Sequence, residues 1–147
     1  MQSKTNNFKI NAFIDSSLSL SAMAAVNFDE VSQALDNPVL IDAIKNGQAQ
    51  KLELTTELCW KAIKVVLSTV DGIDEVSPKK VVKAFFIAGH ITEQDYLGIM
   101  QAIDDRNQLS HVYDENVFNA ILDRLQAHAT MFEALAKKLA QFKTNDD

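Results

Sequence analysis

The sequence predicts an all-α protein, an antiparallel bundle of four to five helices. Three observations lead there. Four glycines and two prolines in 147 residues leave few breaks. No Asn-Gly turn stands between alternating strands, because Asn46-Gly47 lies between helical patterns. Apolar residues recur at steps of three and four over long stretches joined by short connections.

The first apolar pattern runs from about Phe8 to Leu35 through Phe13, Leu18, Ala22 and Ala25, and Asn27-Phe28-Asp29 marks a break in it. Asp36-Asn37-Pro38-Val39 reads as a stop and a restart. A long helix is expected from Pro38 or Gly47 to about Val70. Leu54, Leu58, Ala62 and Val65 form one stripe on it, and Leu52, Cys59, Ile63 and Val66 form the next. Two adjacent stripes imply wide burial. Asp71-Gly72 ends this helix. Ser77-Pro78 starts a short one, with serine as N-cap and proline in the first turn, and Gly89 ends it. Thr92-Glu93-Gln94-Asp95 has the form of a capping box with aspartate in the fourth place. The helix it opens carries Tyr96, Met100 and Ile103 on one face. The last helix is expected as one seam from about Asp114 to Phe142, through Val117, Ile121, Leu125, His128, Phe132, Leu135 and Leu139. Residues 143–147 are expected to fray.

The chain is long enough for one domain, residues 1–147, with a real core. A net charge of −6 argues against a protein that coats nucleic acid by bulk electrostatics. It leaves room for local patches at Lys61 and Lys64, or at Lys79, Lys80 and Lys83. Cys59 is the only cysteine, so no disulfide framework exists, and packing is its simplest role. The three histidines are too far apart for metal-ligand spacing, and neither metal nor cofactor is expected. His90 reads as a solvated turn residue and His128 as a satisfied histidine of the core or an interface. No apolar run reaches membrane-spanning length, and Met1–Phe13 lacks the layout of a secretory signal. A cytoplasmic protein is the expectation.

Chemistry concentrates in Arg106-Asn-Gln-Leu-Ser-His-Val-Tyr-Asp-Glu115. Extending Tyr96, Met100 and Ile103 by helical steps reaches Asn107 and Ser110. The neighbouring stripe, Leu97 and Met100, reaches Asp104, Asn107 and His111. The core-facing side of this helix therefore turns polar near its end. Buried polar groups must be paired, so these residues satisfy one another or the bundle opens into a cleft. Arg106 and His111 lie about 140° apart around an ideal helix. They converge if the helix unwinds near Ser110 or if a second copy supplies the opposite wall. Asn107 and His111 share a face. On spacing alone, a polar helix terminus held by internal hydrogen bonds is the simpler reading. Glu57 with Lys61 reads most simply as an i,i+4 pair.

Asp104-Asp105-Arg106-Asn107 with His111 and Tyr113 resembles the signature of the HEPN superfamily, an arginine followed after four to six residues by a histidine. The tyrosine two places after the histidine resembles the HepT-like branch, the nucleotidyltransferase substrate-binding proteins. Leu52-Glu-Leu-Thr-Thr-Glu-Leu-Cys-Trp-Lys-Ala-Ile-Lys64 resembles that branch's second helix. Ser77 to Ile91 resembles its Ser-Pro helix. The resemblance covers about residues 48–140, and the N-terminal third is less recognisable. It implies an all-helical two-fold homodimer that brings two Arg-His motifs into one cleft. It also implies a toxin of a toxin–antitoxin pair acting as a metal-independent endoribonuclease. Arg106 would neutralise the scissile phosphate, His111 would act as general base or acid, and Asn107 would hold the site in shape. Asp104 and Asp105 would orient the arginine or histidine, and Glu57 would stand near the motif. The implied partner is a small MNT-type nucleotidyltransferase that transfers AMP to Tyr113 and blocks the cleft by charge and bulk. The alternative is a non-catalytic subunit that binds nucleotide or substrate for that transferase.

Overall fold

The computed structural model describes residues 2–111 and 114–145. These residues form seven α-helices: α1 (Gln2–Ala24), α2 (Phe28–Leu35), α3 (Pro38–Val66), α4 (Pro78–Ile87), α5 (Glu93–Leu109), α6 (Glu115–Asp123) and α7 (Leu125–Ala140). No strand occurs among them, and the molecule is a helical bundle. α1 packs on α3 and α7, and α3 also meets α4 and α5. None of the described helices is long and apolar enough to cross a membrane.

Local chemistry accounts for most of the helix boundaries. Asn27 caps α2 by accepting hydrogen bonds from the backbone N–H groups of Asp29 (3.0 Å) and Glu30 (3.2 Å). Asn37 caps α3 by accepting from Val39 N–H at 3.0 Å, with Pro38 in the first turn. α3 therefore starts at Pro38. Beyond Val66 it continues as a π-helical turn, Leu67–Asp71, which stops at Gly72 with φ 66°. Ser77 occupies the N-cap position of α4, but its side chain makes no capping bond; Pro78 and the extended backbone at Ser77 set that start. Gly89, with φ 87°, ends the turn after α4. Thr92 and Asp95 form the reciprocal capping box of α5, both bonds at 3.1 Å. Asp95 also holds Lys138 of α7.

The core lies where α1, α3, α5 and α7 meet. Phe13 and Phe132 pack edge to face there, with ring centroids 5.8 Å apart, among Leu52, Ile63, Ile99 and Leu135. Only one of the two stripes on α3 is fully inside. Leu52, Cys59, Ile63 and Val66 are buried, whereas Leu54 is 48% exposed and Leu58 and Val65 are half-buried. Burial pushes the Cys59 thiol far above its ordinary range, as befits a packing residue.

The expected last helix is broken at Arg124, whose φ −88° and ψ −2° separate α6 from α7. The apolar seam continues across the break through Ile121, Leu125 and His128, which is why spacing alone does not reveal it. α6 buries one residue, Ile121. Two further expectations are corrected. His90 is not a solvated turn residue: its ring lies between Phe85 and Phe142, at centroid distances of 4.8 and 5.4 Å, and its Nε2 is 2.7 Å from Asp71 Oδ2. Lys143 and Thr144 are tied to α1, with Thr144 N–H donating to Asn7 Oδ1 at 3.0 Å and Lys143 Nζ donating to Asn11 Oδ1 at 3.0 Å.

Candidate functional site

Helix α5 buries Ile99, Ala102 and Ile103. The next positions on that face are Asp105 and Arg106. Tyr96 and Met100 are half-buried, and Asn107 and Ser110 are exposed. The polar end of the buried face is thus one register away from the Tyr96-Met100-Ile103 extension.

Asp105 is only 1% exposed and its charge is fully partnered. Arg124 donates to it twice, from Nε to Oδ2 (2.9 Å) and from Nη2 to Oδ1 (2.7 Å). His128 Nε2 lies 2.7 Å from Oδ2, and Gln101 donates to Oδ1 at 3.0 Å. Burial by itself pushes the Asp105 carboxyl up. The hydrogen bonds from His128, Arg124 and Gln101 outweigh it and hold the pKa at about 2. His128 is therefore a satisfied core histidine.

Arg106 turns toward α3. Its Nη2 lies 3.2 Å from Glu57 Oε2, the oxygen that also accepts from Trp60 Nε1 at 3.0 Å. Lys61 pairs with the other Glu57 oxygen at 3.2 Å. Burial raises the Glu57 carboxyl, and the bonds to Trp60 and Lys61 with the Arg106 charge bring it below its ordinary value. Arg106 Nη1 donates weakly to Asn107 Oδ1 at 3.5 Å, and its Nε is buried without a hydrogen-bond partner among the described residues.

His111 stands just past the end of α5, its backbone N–H donating to Gln108 O at 2.9 Å and its side chain exposed. It lines a groove of about 670 Å³ between the C-terminal half of α5 and the start of α6. Asp104, Asn107, Asp114, Val117 and Arg124 share its walls. Asn107 and His111 are therefore on one side, and Arg106 with Glu57 is on another. The helix stays regular to Leu109, so the arginine and histidine of one chain diverge, as their spacing implies. The two aspartates engage partners other than those expected of them. Asp104 pairs with Lys79 at 2.5 Å, and Asp105 holds Arg124 and His128 rather than Arg106 or His111. Tyr113 lies outside the described residues. Among those described, no group of three or more His, Cys, Asp or Glu side chains is placed to hold a metal ion.

Sequence reasoning missed Arg124 and the pairing of Asp105 with His128. A signal was present: a histidine on an apolar seam needs a polar partner, and Asp105 falls on the buried register of α5.

A helical bundle with an Arg-x4-His motif at the end of one helix, braced beneath by a buried ion network, is the class that fold and site define. The sequence profile of a family described as nucleotidyltransferase substrate binding protein like matches residues 17–141. The chain belongs to that family. The match begins in α1, so most of the N-terminal third, expected to be less recognisable, falls within it. No curated protein matches the sequence. A crystal structure of a protein from Thermus thermophilus is similar, with TM-score 0.70 and 25% identity over 85% of this chain and 96% of that one.

Proposed function

We propose that this protein is the HEPN-type toxin of a toxin–antitoxin pair, a cytoplasmic, metal-independent endoribonuclease whose site forms when two copies bring their α5 ends together. The observation that carries this reading is the divergence of Arg106 and His111 around α5. One chain does not present both to one phosphate, whereas a two-fold pair offers the arginine of one copy to the histidine of the other. Arg106 is half-exposed and already holds an anion, Glu57, so its guanidinium is set to meet a phosphate oxygen. In the reaction, the RNA 2′-oxygen bonds to phosphorus and the bond from phosphorus to the 5′-oxygen breaks. His111 takes the 2′-hydroxyl proton as general base, and the imidazolium so formed protonates the leaving 5′-oxygen. The products are a 2′,3′-cyclic phosphate and a 5′-hydroxyl. AMP transfer to Tyr113, two positions after His111 in the sequence, by an MNT-type nucleotidyltransferase adds a charged phosphate and stops the reaction.

A second reading has its own support. The family description and the carboxylates on the groove wall favour a non-catalytic subunit that binds nucleotide or substrate for the transferase.

Cleavage of total tRNA in EDTA by wild type and His111→Ala separates the two. The toxin reading expects cyclic-phosphate ends from wild type only, with the variant still folded. Intact RNA with both proteins, when wild type is dimeric and unmodified at Tyr113, moves the assignment to the substrate-binding subunit. Unfolding of His111→Ala would make the motif a structural network instead.

A further inference from the structure

The groove that holds His111 also holds a cation outside the Arg-x4-His motif. Arg124, at the break between α6 and α7, lies on its wall. Its Nε and Nη2 are engaged with Asp105. Its Nη1 makes no hydrogen bond among the described residues, and 40% of the side chain is exposed. A two-point bond to a buried carboxylate fixes the guanidinium plane, so the remaining edge is held in one orientation. Asp105 has further partners in His128 and Gln101, so its own satisfaction does not rest on Arg124 alone. The other acids on the wall are also occupied. Asp104 is paired with Lys79, and Asp114 caps α6 by accepting from Asn116 N–H at 2.8 Å. The groove, about 670 Å³, is of a size that takes a nucleotide unit.

We propose that Arg124 is a phosphate-binding residue, whose free guanidinium edge holds the phosphate of a nucleotide lying in the groove beside His111. The proposal rests on reading that groove as a nucleotide site. The nucleotide is either one unit of an RNA strand or a free mononucleotide, since both present the same phosphate. Asn107 and Gln108 offer amide donors and acceptors to the base or sugar, and Val117, 37% exposed, offers an apolar surface. Arg124 is then a binding residue that acts from the same chain as His111, while Arg106 acts across the two-fold axis.

The test uses the full-length protein with two probes, a six-nucleotide 2′-O-methyl RNA, which lacks the attacking hydroxyl, and AMP. Affinity is measured at several salt concentrations for wild type, Arg124→Lys, and the double variant Asp105→Asn/Arg124→Gln. The double variant strands no buried carboxylate if the lysine fails to fold. Both Arg124 variants keep the net charge, and Lys137→Gln, on the α1–α7 face, controls for the loss of a cation away from the groove. The proposal expects both Arg124 variants to bind about tenfold more weakly. For the RNA, it expects the slope of log affinity on log salt to shrink by about 0.7 in the double variant, which loses the cation at one phosphate contact. Lys137→Gln should bind as wild type does. In wild type, the probe should also shift the Arg124 Nε–Hε resonance. Loss confined to the oligonucleotide identifies a strand, and loss confined to AMP identifies a free nucleotide; both support the subsite. Unchanged affinity in the Arg124 variants, a stationary Arg124 resonance at saturation, or no binding of either probe by wild type overturns it. The EDTA cleavage assay is scored separately: cleavage with an Arg124 that does not respond rejects this subsite and leaves the ribonuclease reading standing.

Discussion

One residue step along α5 takes the chain from a buried carboxylate, Asp105, to a half-exposed guanidinium, Arg106. The two point to different partners and different jobs. Asp105 is structural, and its removal should show as stability. Asp105→Asn leaves Arg124 and His128 without their anion and is expected to cost about 3 kcal/mol in urea unfolding at neutral pH. The pH dependence follows from its depressed pKa, about 2 when folded. A carboxyl held below its unfolded value stabilises above about pH 4 and loses that contribution as pH falls toward 2. Between pH 5 and pH 2, wild type should lose about 2 kcal/mol more than Asp105→Asn. Parallel curves for the two proteins would place the charge elsewhere. Arg106 has the opposite character: its ion pair with Glu57 is partly solvated and contributes little to stability.

At the scale of the element, what the sequence reveals is what acts within about four residues. Asn37-Pro38, Gly72, Gly89 and the Thr92–Asp95 box each set a helix end through bonds to near neighbours, and each is readable in order. Thr92→Ala removes the side-chain acceptor of Asp95 N–H, one of the two bonds of the box, at the start of the helix that carries the site. A loss of about 1 kcal/mol is expected, with a thermal midpoint lower by about 3 °C. An unchanged midpoint would mean that Asp95, bonded to the residue 92 N–H and to Lys138, holds the helix start without the hydroxyl. The break at Arg124 is not readable in this way. It contains neither glycine nor proline, the apolar spacing runs straight through it, and the carboxylate that grips Arg124 lies far back on α5. The site divides along the same line. Arg106, Asn107 and His111 stand out as a motif, and their divergence follows from helical rotation. The place of Asp105 on the buried register of α5 is readable, but the partners that satisfy it, Arg124 and His128, lie far along the chain. His90 is a similar case, since Phe142 reaches its ring from the far end of the chain.

For the whole molecule, a net charge of −6 and a divided site have one joint consequence. Two acidic chains must associate to complete the proposed cleft. If the cleft takes its arginine from one copy and its histidine from the other, two inactive proteins should rescue each other. Arg106→Ala mixed and refolded with His111→Ala regenerates one composite site per mixed dimer, and RNA cleavage should return to a measurable fraction of wild type. Absence of cleavage, with mixed dimers verified by native mass spectrometry, would confine each site to a single chain.

The wall of the groove formed by α6 is lightly anchored. Of its nine residues one is buried, whereas α7 buries seven. Amide hydrogens of α6 should therefore exchange with solvent on the order of a hundredfold faster than those of α7, through local openings that leave the rest of the bundle intact. Local opening of this one helix reshapes a wall of the groove beside His111, with no need for the bundle to unfold.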